Sequence, residues 1–318
     1  MKLLVAIPCL NEENSIAGVI SSIPKSIDFI SKIDVLVIDD GSHDSTAEIS
    51  ARAGAILIKH NKNKGLGEAF KSGYTYAVDN NYDLMISIDG DGQFKADEIP
   101  KLIEPILLED ADLVIGSRFI DNKKIPNQSK AKYFGNKLMT LLVGRLLEVK
   151  QTDVSSGFRA YSKEALYNLN LHGAFTYTQE TFIESAVKKL KIVEVPVSIT
   201  YFKDRQSRVF SGVISYSFNT LLIIMRAYRD FFPLRFFGSI ALICFIPGLI
   251  FTTKFFVNFF TTGQFSGYLF AGLLGAFFMF LFLVFLLIGL VTDMLDRIRT
   301  NQERILYRLK KQNSKNEK

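Results

Sequence analysis

Asp89 and Asp91 stand one glycine apart at the end of the apolar run Leu84-Met85-Ile86-Ser87-Ile88, and Gln93 follows two residues later. Two hard carboxylate donors beside an amide oxygen suit a divalent cation, Mg2+ or Mn2+, of the kind that also takes up phosphate oxygens. An isolated Asp-x-Asp is more often a solvated turn at a strand end, so the other polar turns of the chain decide its meaning. These are Asn11-Glu12-Glu13, Asp39-Asp40-Gly41-Ser42, Asn61 to Gly67 and Gly116-Ser117-Arg118. Cations able to grip an anionic partner sit at Arg118, Arg205 and Arg208, with Lys130 and Lys132 behind them.

The elements that must carry these turns alternate along the chain. Apolar runs at Leu3 to Ile7, Val35 to Ile38, Ala55 to Lys59, Leu84 to Ile88 and Leu113 to Ile115 read as buried strands. Helical stretches lie between them: one opening at Asn11 to Ser15, one capped by Asp44, Ser45 and Thr46, one over Glu68 to Val78 and one around Glu98 to Leu108. This alternation predicts an α/β fold, a mostly parallel, doubly wound, Rossmann-like sheet. Right-handed crossovers then bring the polar turns to one edge, where such sheets bind ligands. The first turn, Pro8-Cys9-Leu10-Asn11-Glu12, lacks the Gly-x-Gly-x-x-Gly spacing of a dinucleotide site, and no Gly-Lys-Ser/Thr phosphate loop occurs. Further on, the sequence predicts a helix over Tyr133 to Leu147, a loop from Asp153 to Arg159, a helix over Thr178 to Leu190 carrying Glu180 and Glu184, and an edge strand over Ile192 to Ile199 interrupted by Pro196.

Phe236 to Thr253 and Phe255 to Thr292 contain no charged residue, which is room for two transmembrane helices joined by a turn near Asn258 to Gly267. The formal charge of +6 is concentrated at Arg226, Arg229 and Arg235 and in the tail from Arg297 to Lys318. The turn between the spans has no Lys or Arg, so charge asymmetry places the large domain and both termini in the cytoplasm. Anionic lipid explains this balance better than nucleic acid, which is not an expected partner. Val209 to Met225 fits a helix lying in the membrane interface, or one packed on the globular domain. Four parts are expected: 1–208 catalytic, 209–235 interfacial, 236–292 a transmembrane hairpin and 293–318 a basic tail. Gly238, Gly248, Gly272 and Gly275 allow close helix contacts, within the hairpin or in a homo-oligomer. Cys9 and Cys244 fall in a strand and a span, so no disulfide is expected, and a reducing compartment fits. A secretory signal is not expected, since the amino terminus runs directly into a strand. His43, His60 and His172 have no zinc-site spacing and are expected at the surface.

Pro8 with Asn11-Glu12-Glu13, then Val37-Ile38-Asp39-Asp40-Gly41-Ser42 with Asp44-Ser45-Thr46, then Asn63-Lys64-Gly65, then Asp89-Gly90-Asp91-Gly92-Gln93, resemble in type and order a family 2 glycosyltransferase of GT-A fold. Gly116-Ser117-Arg118 and Ser156-Gly157-Phe158-Arg159 resemble, more narrowly, the branch of dolichol-phosphate mannosyltransferases and bacterial polyprenyl-phosphate glycosyltransferases. The likeness covers about residues 3 to 210. It implies that Pro8, Asn11 and Glu12 lie along a donor nucleotide, that Asp39 contacts its base, and that Lys64 and Gly65 border its pocket. It implies further that Asp89, Asp91 and Gln93 hold the metal bridging the diphosphate, and that Arg118 holds a lipid phosphate. Arg205 and Ser207 match a loop whose usual form resembles Arg-x-Gly-x-Ser-Lys, from which Gln206 and Arg208 depart.

The expected activity is that of an inverting hexosyltransferase moving a sugar from a GDP-mannose or UDP-glucose type donor to undecaprenyl or dolichyl phosphate. A phosphate acceptor is already ionised and needs no general base, whereas a hydroxyl acceptor does. Transfer to a hydroxyl on a lipid or glycan is the alternative, with Asp153 or Glu180 as its base. A membrane-anchored nucleotide-sugar-binding scaffold is a third. Read locally, Asp39 could equally cap a helix, Arg118 pair with a surface acid, Glu180 solvate its helix, and Ser156 to Arg159 form a structural turn.

Overall fold

The computed structural model describes residues 1–120, 130–171, 177–202, 222, 225, 226, 228–265 and 268–316. The side chains of 130–132, 315 and 316 are not described. Arg205, Ser207, Arg208 and the expected helix of 209–225, but for isolated positions, lie outside the described residues, as do His172 and the side chains of Lys130 and Lys132. Contacts divide the chain into two units, 1–220 with 306–318, and 221–305.

Among the described residues of the first unit, seven strands form one sheet: β1 (Lys2–Cys9), β2 (Lys32–Asp39), β3 (Ile56–Lys59), β4 (Leu84–Ser87), β5 (Leu113–Ser117), β6 (Arg159–Ser162) and β7 (Ile192–Pro196). Their spatial order is β3-β2-β1-β4-β6-β5-β7. Leu3 to Cys9 are all buried, as expected of a central strand covered on both faces. β1 pairs in parallel with β2 and β4, and β2 with β3. The crossover helices are α1 (Ile16–Ser22), α2 (Thr46–Arg52), α3 (Leu66–Asp79) and α4 (Ile99–Glu109). α5 (Lys130–Leu147), α6 (Lys163–Asn168) and α7 (Tyr177–Val187) follow. One core face joins Leu3, Val5, Ile7, Ile86 and Ile88 to Ile16 and Val19 of α1 and Leu102 of α4.

Two local features differ from the sequence reading. α1 begins at Ile16 rather than near Asn11, because Asn11 adopts a left-handed conformation (φ 53°) and interrupts any helix there. The Asp153 to Arg159 stretch ends in β6, a short strand inserted antiparallel between β4 and β5, with Arg159 opposite both Ser87 and Ile115. Four residues, Arg-Ala-Tyr-Ser, give no apolar run, so this strand owes its existence to the ladders on either side. An antiparallel strand begins where its parallel neighbours end, so β6 starts at the ligand-binding edge. β7 lies at the sheet margin beside β5 and ends at Pro196, an edge position where the missing N–H breaks no ladder bond, since the Val197 amide still donates to Ser117 O (3.1 Å).

Leu306 to Asn316 pack on the first unit. Lys310 Nζ donates to Tyr74 Oη (2.6 Å) and to Leu169 O (2.8 Å) just beyond α6, and Tyr307 Oη donates to Glu164 (2.9 Å). In the second unit, α8 (Pro233–Thr262) and the first part of α9 (Leu269–Asn316) are long and apolar enough to cross a membrane. With mean hydropathies of 2.1 and 2.9 in their most apolar windows, they mark the chain as a membrane protein. α8 runs to Thr262, into the first half of the expected Asn258 to Gly267 turn, and ends at Gly263. Cβ atoms added at Gly248, Gly272 and Gly275 would meet Met279, Phe255 and Thr252 at 2.5–3.1 Å. Those three glycines therefore serve contact within the hairpin, while Gly238 has nothing within 4 Å.

Arg159 is fully buried, and neutral oxygens satisfy it. Nε donates to Ser156 O (2.8 Å), Nη2 to Val154 O (2.8 Å), and Nη1 to Thr178 O (2.6 Å) and Thr181 Oγ1 (2.8 Å). The side chain thus ties the loop before β6 to α7. Arg159→Met keeps the bulk but strands these acceptors, and is expected to cost about 3 kcal/mol. Arg159→Lys should not restore the loss, since an ammonium cannot span the same fork. Thermal melting of the detergent-solubilised protein tests this; a Met variant within about 1 kcal/mol of wild type would refute it.

Candidate active site

Three turns meet at the carboxyl ends of β1, β2 and β4. The Asn11 amide donates to Ser42 Oγ (2.8 Å) and that of Glu12 to Thr46 Oγ1 (2.7 Å). In return the His43 amide donates to Asn11 Oδ1 (2.9 Å) and that of Ser45 to Glu13 Oε2 (3.1 Å). Ser15 Oγ bonds Glu12 Oε2 and Gly90 O, both at 2.9 Å, which joins this pair of turns to the one carrying Asp89 and Asp91. Burial, and then the charges of Glu12, Asp39, Asp89 and Asp91, push the Cys9 thiol well above its ordinary pKa. Four of the acids singled out by the sequence therefore converge around the end of β1. Pro8 is buried beneath them.

Asp39 is fully buried. Its Oδ1 accepts from the Ser42 amide at 2.9 Å, while Oδ2 is buried without a hydrogen-bond partner among the described residues. Leaving a buried carboxylate oxygen unpaired is costly, and nothing among the described residues offsets that cost. Capping of α2 falls elsewhere: Asp44 Oδ1 accepts from Thr46 N (3.0 Å) and from Thr46 Oγ1 (2.5 Å).

Asp89, Asp91 and Gln93 are half-exposed at the edge. Asp91 Oδ1 accepts from the Gln93 amide at 3.0 Å, and the Gln93 carbonyl accepts from Thr200 N at 2.9 Å. Gly157, in the loop before β6, faces Asp89 so closely that an added Cβ would lie 3.0 Å from both carboxylate oxygens and from Tyr177 Oη. Tyr177 Oη donates to Gly157 O (3.2 Å) and contacts Ser87 Oγ (3.1 Å), and its ring stacks on Phe70 at 4.0 Å. Burial first, then the Asp89 charge, raises the Tyr177 phenol well above its usual range and keeps it a donor. The oxygens and the space left by Gly157 fit a divalent cation. Among the described residues no three His, Cys, Asp or Glu side chains group closely enough to hold one unaided. Such a cation would keep waters and substrate phosphates among its ligands, as Mg2+ and Mn2+ do.

On the far side of β6, Arg118 is held by Asp153. Nε and Nη2 reach the two carboxylate oxygens at 2.6 and 2.7 Å, and Nη2 also reaches Ser155 Oγ at 2.7 Å. Nη1 contacts Tyr201 Oη at 3.3 Å. Glu194 of β7 fixes the loop by accepting from the amides of Thr152 and Asp153 (2.8 and 2.9 Å). Glu184 of α7 bonds Lys188 (2.6 Å) and the Asn170 amide (2.9 Å), away from these turns, while Glu180 is half-exposed at the start of the helix.

His60 corrects the sequence reading. His43 is exposed, but His60 is only 6% accessible and contacts Asp40 Oδ1 through Nδ1 at 2.6 Å. Its partner lies one position beyond the parallel β2–β3 register that pairs Asp39 with Lys59, a relation visible only once those strands are aligned. Lys64 is exposed, and its amide and that of Gly65 both donate to Asp40.

Burial alone would raise the Asp153 carboxyl, yet the charge and hydrogen bonds of Arg118 hold it below its ordinary value. A depressed folded-state pKa contributes stability that is complete above the unfolded value of about 3.9 and is lost as pH falls through the folded one. Asp153→Asn should therefore cost about 3 kcal/mol near neutral pH. The gap from wild type should stay constant through mild acid and close only below about pH 4. Melting curves across pH test this; a gap already closed at about pH 6 would refute it.

The model of the family described as glycosyl transferase family 2 matches residues 4–169. The chain is 29% identical over 240 residues to the UDP-N-acetylglucosamine–dolichyl-phosphate N-acetylglucosaminyltransferase of Methanococcus voltae, covering 69% of this chain and 94% of that one. It is 28% identical over 227 residues to the undecaprenyl-phosphate mannosyltransferase of Micrococcus luteus, covering 67% and 90%. Glucosyl-3-phosphoglycerate synthase from Mycobacterium tuberculosis, solved with UDP, shares the fold with a TM-score of 0.55 at 22% identity, over 70% of this chain and 79% of that one. With its mostly parallel sheet of GT-A type and this family match over half its length, the chain belongs to glycosyl transferase family 2 and is a glycosyltransferase.

Proposed function

We propose that the protein transfers a sugar, with inversion, from a nucleotide-sugar donor to a polyprenyl phosphate at the cytoplasmic membrane face. The observation that supports the donor half is the unpaired Asp39 oxygen at the sheet edge where Ser15 ties the Glu12 turn to the turn carrying Asp89 and Asp91. A buried carboxylate oxygen takes an N–H, which uracil and guanine both offer. Pro8, Asn11 and Glu12 flank the nucleotide, and Lys64 and Gly65 border it. Asp89, Asp91 and Gln93 are the residues that would hold Mg2+ or Mn2+, which when bound offsets charge developing on the departing diphosphate.

The acceptor half is supported by the relatives named for dolichyl and undecaprenyl phosphate and by two helices able to anchor the enzyme where such lipids lie. An acceptor phosphate oxygen forms the new bond to the anomeric carbon as the bond to the diphosphate oxygen breaks, and no proton has to be removed. Asp153, proposed above as the base for a hydroxyl acceptor, is fully buried with both oxygens on Arg118, which disfavours that role. Arg118 turns Nη1 toward Tyr201 and is assigned to the lipid phosphate, with Arg205, Ser207 and Arg208 of the following segment. Residues 1–208 form the catalytic part, 209–235 the interfacial segment, 236–292 the hairpin and 293–318 the tail, with both termini in the cytoplasm.

Purified protein in detergent, given undecaprenyl or dolichyl phosphate, a panel of UDP- and GDP-sugars and Mg2+ or Mn2+, is expected to yield a lipid-linked sugar. Transfer to a hydroxyl lipid alone would overturn the reading. Asp91→Ala should lower turnover at least about 100-fold with unchanged melting. Retained activity would remove Asp91 from the mechanism.

A further inference from the structure

We infer that His60 is a positioning residue for the donor loop, acting through Asp40 and fastened on its far side by Ser72. The inference rests on the reading of Lys64 and Gly65 as the border of the nucleotide pocket. Asp40 is 4% exposed, and its carboxylate takes three hydrogen bonds. Oδ1 accepts from Lys64 N at 3.0 Å and contacts His60 Nδ1 at 2.6 Å, while Oδ2 accepts from Gly65 N at 2.8 Å. The other ring nitrogen, Nε2, lies 2.9 Å from Ser72 Oγ on α3. The His60 amide donates to Asp39 O at 2.9 Å and extends the β2–β3 ladder by one step. Gly41 brings the same turn into direct contact from above, since a Cβ there would stand 2.6 Å from Lys62 C and 2.7 Å from Asn63 N. The 62–65 turn therefore rests on the 39–41 turn that presents the unpaired Asp39 oxygen.

This arrangement makes the Asp40 carboxylate the shared anchor of the Lys64 and Gly65 amides. Gly65 precedes α3 with no side chain of its own to cap the helix, and its amide is shared between Asp40, just past the end of β2, and Asn63 Oδ1 (2.9 Å). The imidazole holds Asp40 on one side and α3 on the other. Without the ring, Oδ1 loses its shortest contact, and the carboxylate that the Lys64 and Gly65 amides share is held, among the described residues, by those two amides alone. The entropy of ordering the turn then falls on nucleotide binding. His60 touches neither Asp89 nor Arg118 in any hydrogen bond described above, so the loss belongs in donor binding rather than in the chemical step.

The test pairs kinetics with amide hydrogen exchange on the full-length protein in detergent. His60→Ala is expected to raise the donor KM roughly tenfold, with kcat and the acceptor KM within about twofold, and to speed exchange at Lys64 and Gly65 by a similar factor. His60→Asn places an amide N–H where Nδ1 stood and should restore most of both. Ser72→Ala, which frees the far side of the ring, should give about a threefold effect in the same direction. Unchanged exchange in His60→Ala, an equal rise in acceptor KM, or no rescue by Asn would each overturn the inference. Should the Ala variant fail to fold, unchanged donor KM and exchange in Ser72→Ala overturns it instead. If wild type turns over no nucleotide sugar, the proposed function fails, and exchange at 64 and 65 still decides the role of His60.

Discussion

Negative charge gathered at the end of β1 is the constraint on which the rest of the catalytic fold depends. Glu12, Asp39, Asp89 and Asp91 all lie close enough to one buried thiol to raise it. Such a group survives because the topology brings compensation to the same edge. α1, α2 and α3 each follow turns at this edge, where backbone amides are donated to Asp39 and Asp91 and to the neighbouring Glu13, Asp40 and Asp44. What remains is an acidic edge that the amides of Ser42 and Gln93 only partly offset.

The sheet separates this acidic sector from a guanidinium one by a single strand. β6, antiparallel between β4 and β5, opens at the edge, and its preceding loop touches both sides: Gly157 faces Asp89, while Asp153 clasps Arg118. An inversion in strand direction thus sets Asp89 and Arg118 on either side of one short strand. Arg159 anchors the loop from below with four bonds to neutral oxygens, which leaves the Asp153 charge for Arg118 alone.

Much of this was legible in the residues. Continuous apolar runs located β1, β2, β4 and β5, because strands covered on both faces must be apolar throughout, and the polar turns marked the edge. β6 was not legible. A four-residue strand containing Arg159 and Ser162 carries no periodicity, and only pairing with strands distant in sequence defines it. Asn11 misled in the opposite way, since capping residues announced a helix that its left-handed backbone postpones to Ile16. His60 escaped because a parallel register relates it to Asp40, and sequence spacing encodes no register. The unpaired oxygen of Asp39 could be known only from its surroundings, although the residue itself stood out.

The helix that begins as a membrane span at Leu269 ends as a component of the catalytic unit. Lys310 reaches the carbonyl of Leu169, beyond the end of α6, and Ser314 bonds Asn81 in the turn before β4. The tail cannot therefore be counted simply as a basic arm for lipid headgroups. Its Lys310 is already committed to protein oxygens, and a chain stopped at Ile305 would leave Tyr74, Leu169 and Asn81 without these partners. For anyone shortening the protein to obtain a soluble enzyme, the natural cut after the hairpin removes part of the fold that was meant to be kept.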